Sequence, residues 1–322
     1  MLTGADLVKA TKGYAREDWR SWWHLWSTLA VLIVLLGATC LETPWLVRIP
    51  CSILAGLVIV RMFVIYHDYQ HGTILRGWRL VDGIMLAYGL FTLSPPRTWN
   101  RSHNHHHKHN AKDLGAGIGS FPLMTTEDYA KANRMERFRY VIARHPLTIL
   151  LGYFPVFLYG MCIFPLLTNP RQHFDSAIAV ILHITLVAML AIFAPGVLVF
   201  TLLLPFLVAD ALGAYLFYAQ HNFPDVKFQE SGEWNYVFAA LNSSSYITMN
   251  PAMRWFTANI GYHHVHHLNP RIPFYRLPEA MAAIEELQSP GTTSLAPLDV
   301  LRCLRLKLWD PEKNRMVTFK GL

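Results

Sequence analysis

The sequence predicts an all-α integral membrane protein: four transmembrane helices in two hairpins, with a cytoplasmic helical cap that holds a histidine-rich dimetal site. Three observations carry this expectation. Apolar residues make up 53% of the 322 residues and charged residues only 15%, against roughly 25% charged in a soluble domain. The apolar residues come in blocks close to the length of a bilayer crossing. Most of the 16 histidines fall in tight clusters at the ends of those blocks.

A spanning helix needs about 20 mostly apolar residues. The first two blocks are 25–41 and 49–66, joined by a short turn containing Pro44, and read as a helical hairpin. The block from Leu80 to Leu93 is too short to span and holds Asp82, Gly83 and Gly89, so an in-plane or re-entrant helix is expected. A further span is expected over 147–168. The last apolar region, 177–219, is about twice one span, is broken at Pro195–Gly196 and Pro205, and carries Asp210.

Charge assigns the sides, because Lys and Arg concentrate in cytoplasmic segments. The N-terminal tail, segment 67–146 and the chain after residue 220 hold 25 of the 28 Lys and Arg. Parity then allows one crossing within 177–219. It is expected over 177–200, with Pro205–Ala219 near the cytoplasmic interface. The chain therefore reads as a single domain over 1–322, with a cytoplasmic cap formed by 67–146 and 205–322 and both termini inside.

The net charge is +7, but the basic residues flank apolar blocks and form no dense tract. A membrane surface is the expected partner, not nucleic acid. Cys40, Cys51, Cys162 and Cys303 are scattered without a Cys-x-x-Cys pair, which indicates neither a disulfide framework nor a thiolate metal site. The first twenty residues are polar and charged, unlike a signal peptide. Trp19, Trp22, Trp23 and Trp26 fit an interfacial aromatic belt.

The histidines fall in order. "HDYQHG" places His67 and His71 four residues apart, on one helical face. "RSHNHHHKHN" carries five histidines between residues 103 and 109, and within it His103, His106 and His107 follow His-x-x-His-His. "YHHVHHLNP" repeats that pattern with His263, His266 and His267, and "QHNFP" adds His221. By the charge argument all four stretches lie on the cytoplasmic side. Neutral imidazole suits Fe, Zn, Cu and Ni, and one ion cannot use eight or nine imidazoles, so two metals are implied. The absence of Glu-x-x-His pairs excludes a ferritin-like carboxylate centre, and the absence of His-Glu-x-x-His leaves a zinc protease unsupported.

Those boxes, with the "NPRIPFYRL" that continues the third, resemble the membrane fatty-acid desaturase family, most closely its acyl-lipid branch. The resemblance covers nearly the whole chain. It implies a non-haem centre of two iron ions. It also implies O₂ as oxidant, an acyl lipid as substrate, and electrons from a separate protein of ferredoxin or cytochrome b5 type, since no such stretch occurs within the chain. It places metal-ligand roles on His67, His71, His103, His106, His107, His263, His266 and His267, and on His221 as an additional ligand. No catalytic residue is expected beyond these ligands. Each ligating imidazole should donate its other N–H to an acceptor; Asp68, Asp113, Asp210 and Asn269 are the candidates by proximity in sequence.

The chemistry fits the ligand type. An alkyl C–H bond is neither acidic nor polar, so the protein's task is to position a carbon pair and exclude water around an oxidising metal centre. The alternative within the same metal superfamily is a hydroxylase or ketolase of a carotenoid, sterol, alkane or sphingoid lipid, and "HDYQHGT" is compatible with carotenoid ketolases. The "NPRIPFYRL" continuation favours the desaturase. A metal transporter or sensor would want ligands within the spans, whereas these cluster at span ends. His105, His109 and His264 are expected to be packing or solvent-facing groups, and His24, His145 and His173 interfacial ones. His183, Arg61 and Asp210 lie within apolar spans, where an ionisable residue is a functional candidate; Arg61 is near enough to an end to snorkel.

Overall fold

The computed structural model describes residues 2–41, 44–112, 120–229 and 231–321. Among these residues the chain is mostly helical, as expected. Two short ladders were not foreseen: Tyr246–Thr248 runs parallel to Thr292–Ser294, and Leu308–Asp310 antiparallel to Arg315–Val317. They are three-residue pieces of the histidine end of the molecule, too short for a period-2 pattern to stand out.

Four helices are long and apolar enough to cross a bilayer: Arg20–Cys40, Trp45–Gln70, Phe174–Phe193 and Pro195–His221. Two hairpins result, but the second is not the one expected. The crossing expected over 147–168 is instead Pro146–Leu150, a wide i→i+5 helix over Tyr153–Ile163, and a last turn at Phe164–Thr168. Gly152, Pro155 and Pro165 fall in this stretch, and each proline removes a backbone donor and clashes with the preceding turn. The segment starts beside the end of the fourth span, where Arg144 donates to the Tyr218 hydroxyl at 3.1 Å. It ends beside the Pro96–His109 helix, where His173 Nδ1 lies 2.9 Å from Thr98 Oγ1. It thus runs from the end of the fourth span to the start of the Pro96–His109 helix.

The region 177–219 supplies two helices, not one. Proline in a helix usually marks a break, which is why Pro205 reads as an end in the sequence. Here the helix widens to i→i+5 bonding over Leu198–Leu203 and continues through Pro205 to His221. The stretch 205–219, expected at the interface, is therefore part of the fourth span.

The second span is the buried axis of the bundle: Val58, Met62 and Ile65 are fully enclosed. The first and third spans present Ile33, Val34, Ile192 and Phe193 outward, each at least two-thirds exposed, as lipid-facing side chains do. Lipid is as apolar as leucine, so close packing, not water exclusion, holds spans together. Gly56 provides such an approach: a Cβ there would lie 2.6 Å from the Pro205 carbonyl oxygen and 2.7 Å from Val208 Cβ.

The Arg79–Phe91 helix turns back along the second span, and the Tyr88 hydroxyl donates to the Ile59 carbonyl at 2.9 Å. Pro95–Pro96 then reverses the chain, Tyr66 Oη donates to the Ser94 carbonyl at 2.8 Å, and the Pro96–His109 helix climbs back to the histidines. The Arg79–Phe91 helix lies where the sequence predicts an in-plane or re-entrant one over 80–93. Arg61 does not snorkel. It is buried and held inward by Thr28 Oγ1 at 3.0 Å, His24 Nδ1 at 2.8 Å and the Trp255 carbonyl.

Candidate metal centre

Four helix ends meet at one end of the bundle. The second span delivers His67 and His71 and stops at Gly72, which takes φ +63, the left-handed turn that ends many helices. The Pro96–His109 helix delivers His103, His106 and His107, starting on a proline that suits the first helical position. The fourth span ends at His221, and the short His263–Leu268 helix brings His263, His266 and His267. All but His71, His103 and His221 are buried, and those three are half-buried.

The nine histidines separate into two groups of converging nitrogens. One comprises His67, His71, His103, His107 and His266, and the other His106, His221, His263 and His267. The two His-x-x-His-His boxes are therefore each divided. His103 and His107, four apart, share the first group, while His106 crosses to the second. His263 and His267 share the second, while His266 crosses to the first. His107 and His267 stack across the divide with centroids 4.4 Å apart, so the groups are immediate neighbours.

Within each group, neighbouring Nε2 atoms lie 2.9–3.2 Å apart. These cannot all be hydrogen bonds. His67 Nδ1 donates to Asp68 Oδ1 at 2.9 Å and His221 Nδ1 donates to the Ser243 carbonyl at 3.0 Å, so in the neutral rings Nε2 carries a bare lone pair. Lone pairs that converge need a cation between them. At a metal–nitrogen distance of about 2.1 Å, ligands at right angles sit about 3.0 Å apart and tetrahedral ligands about 3.4 Å. The observed spacing is close to these values, as expected for imidazoles that share an ion. Among the described residues no carboxylate joins either group.

Burial keeps these rings neutral. It holds His103, His106, His107, His263, His266 and His267 well below the usual imidazole value, and neighbouring imidazoles add to the effect. His71 is pushed down to about 3, by burial first and by His67 second. Neutral imidazole is the form that binds a metal.

The four acceptors expected around the ligands fare differently. Asp68 lies against a histidine of the first group: Oδ1 accepts from His67 Nδ1 while Oδ2 accepts from the Phe274 N–H at 2.7 Å. Asp210 does not. It lies eleven residues before His221, about 16 Å along a helix, and is buried with Oδ2 unpartnered among the described residues. Asn269 bonds instead to Thr11 Oγ1 and the Arg271 N–H, on the far side of its helix end. Asp113 lies outside the described residues. The Ser243 carbonyl was missed, since a backbone acceptor has no sequence signature. So was Trp99, whose ring stacks on His103 at 4.3 Å; its position four residues before His103 was the available signal.

The surplus histidines stay out of both groups. His105 and His109 stack on each other at 4.1 Å. His264 is buried, with Nε2 3.0 Å from the Leu287 carbonyl. His183, within the third span, pairs with the Tyr153 hydroxyl at 2.5 Å.

An apolar cavity runs from the centre between the second span, the fourth span and the 153–163 helix. Val60, Phe63, Val156, Phe157 and Met161 wall it, and His67, His103 and His263 close one end. The arrangement can hold a hydrocarbon chain against two adjacent ions with water excluded.

Residues 43–294 match the family model described as fatty acid desaturase. A protein named fatty acid desaturase from Bacillus subtilis (strain 168) is 31% identical over 297 residues, covering 89% of this chain and 82% of that protein. An sn-1 oleoyl-lipid 12-desaturase of Anabaena variabilis is 24% identical over 292 residues, covering 87% and 81%. A chloroplastic omega-3 fatty acid desaturase of Brassica napus is 23% identical over 317 residues, covering 90% and 75%.

Proposed function

The chain belongs to the fatty acid desaturase family, and from that premise we propose that it carries out O₂-dependent desaturation of a lipid-linked acyl chain at a di-iron centre. One hydrogen leaves each of two neighbouring carbons. O₂ takes these with two electrons and two protons and departs as two waters. The electrons come from a separate carrier of ferredoxin or cytochrome b5 type. The observation that carries the reading is an apolar cavity that ends on two adjacent groups of neutral histidine nitrogens. The lipid-linked substrate is supported by the oleoyl-lipid activity named for the Anabaena relative.

The nine imidazoles would hold the iron through Nε2, and bound iron supplies the oxidising power that an unactivated C–H bond requires. The chain's own residues do the rest. Asp68 and the Ser243 carbonyl fix the tautomer and orientation of His67 and His221. Trp99 fixes the plane of His103. Phe63, Phe157 and Met161 hold the acyl chain and keep water out. We place the centre and both termini on the cytoplasmic side, on the strength of the Lys and Arg distribution.

The test is expression in a host without desaturases, followed by mass spectrometry of lipid double bonds. New double bonds that vanish in His106→Ala support the proposal. Hydroxylated or keto products without new double bonds overturn it.

A further inference from the structure

The space beside the histidine centre is divided in two. The apolar cavity, about 140 Å³, lies between the second and fourth spans. A smaller cavity, about 70 Å³, lies against His106 and His221; its wall is mixed, with Asn110, Ser120, Arg144 and Asn222 beside Phe121 and Leu123, and is more polar than that of the first. Among the described residues, Phe217 alone lines both. It sits four residues before His221, on the same helical face. Its ring is half-buried, with its centroid 5.2 Å from the His106 ring and 6.1 Å from the His221 ring. Leu216 and Tyr218 on either side are buried and fix the helix beneath it.

We propose that Phe217 is the side chain over which the acyl chain passes, and that it selects which carbon pair lies against the histidines. The carbonyl end occupies the smaller, more polar cavity and the methyl end the apolar one. The inference rests on the desaturase reading and adds to it the residue that determines double-bond position.

The methylenes of an acyl chain are chemically almost identical, so an oxidising centre cannot choose among them. Position alone can choose. A chain with one polar end, lying across an apolar cavity and a mixed one that holds the polar groups, has its direction set. Arg144 supports that direction: it is buried, lines the smaller cavity beside Asn222, and its guanidinium, held by the Pro122 carbonyl and the Tyr218 hydroxyl, puts a fixed positive charge in that wall. Direction does not set register. A rigid ring with two rotatable bonds at the junction does, because sliding by one carbon changes how the chain clears it. One extra or missing methylene in an apolar pocket is discriminated by roughly 10–200-fold, which sets the scale for a register shift that leaves a methylene unaccommodated.

The experiment compares the full chain with Phe217→Ala and Phe217→Leu in a desaturase-free host, and locates double bonds by mass spectrometry of dimethyl disulfide adducts. At equal protein and iron content, Phe217→Ala should raise the minor positional isomers about tenfold relative to the wild type. Phe217→Leu should shift the same isomers less. If Phe217→Ala does not elute as a folded protein, Phe217→Leu decides. A folded variant that yields only the wild-type isomer overturns the inference and leaves the desaturase reading intact. Iron-loaded wild type that makes no double bond overturns both.

Discussion

His107 and His267 stack at 4.4 Å with their planes 22° apart, yet their Nε2 atoms belong to different histidine groups. Each ring forms part of the wall between the two sites, so removing either should disturb both. His107→Ala and His267→Ala are expected to drop iron from two per chain to one or less. His105→Ala and His109→Ala, which join neither group, should leave the metal content unchanged. Metal analysis of the purified proteins decides the matter.

Asp68 bridges two elements. It accepts from His67 Nδ1 and from the Phe274 N–H that follows the third box. Acceptors that orient a ligating histidine are worth about 10–100-fold in metal affinity or activity. Asp68→Ala should lose iron on that scale in a chelator competition. Asp68→Asn, which keeps one acceptor oxygen, should lose less.

Acid should strip the centre. His71 is depressed from 6.5 to about 3, and His103, His106, His107, His263, His266 and His267 are held well below 6.5. The unfolded chain therefore binds more protons than the folded one as pH falls below 6.5. The stability contributed by these groups is complete above that value and is lost on the way down to the depressed values. Thermal unfolding of the iron-free protein in detergent should show a midpoint that falls continuously from pH 6.5 to 5. A flat midpoint there would contradict the burial of these rings.

The contact of the second and fourth spans at Gly56 leaves no room for a methyl group, because the Pro205 carbonyl oxygen and Val208 Cβ lie under 3 Å from where it would sit. Gly56→Ala should destabilise the bundle by about 1–3 kcal/mol through overpacking, read as a lowered unfolding midpoint in detergent. The same residue on an outward position of the first span, Gly37→Ala, meets open space and should not.

Much of this molecule was legible because histidine boxes and apolar blocks are local patterns. The nine converging histidines, the first hairpin and the short 79–91 helix all follow from such patterns. The misplaced crossings came from counting 147–168 as a span, so that parity left one crossing for 177–219; the region holds two, and a widened helix over Leu198–Leu203 carries the second through Pro205. The division of each His-x-x-His-His box between two groups was not legible, since it depends on which neighbouring helix faces each side of the box. Asp210 illustrates the same limit: its nearness to His221 along the sequence is distance along a straight helix.

The most direct test is the metal content of enzyme that makes double bonds, measured by elemental analysis with Mössbauer spectroscopy of the same sample. Two irons per chain, in two adjacent nitrogen-rich sites, is the predicted result. One metal per chain, or zinc in the active protein, would contradict it.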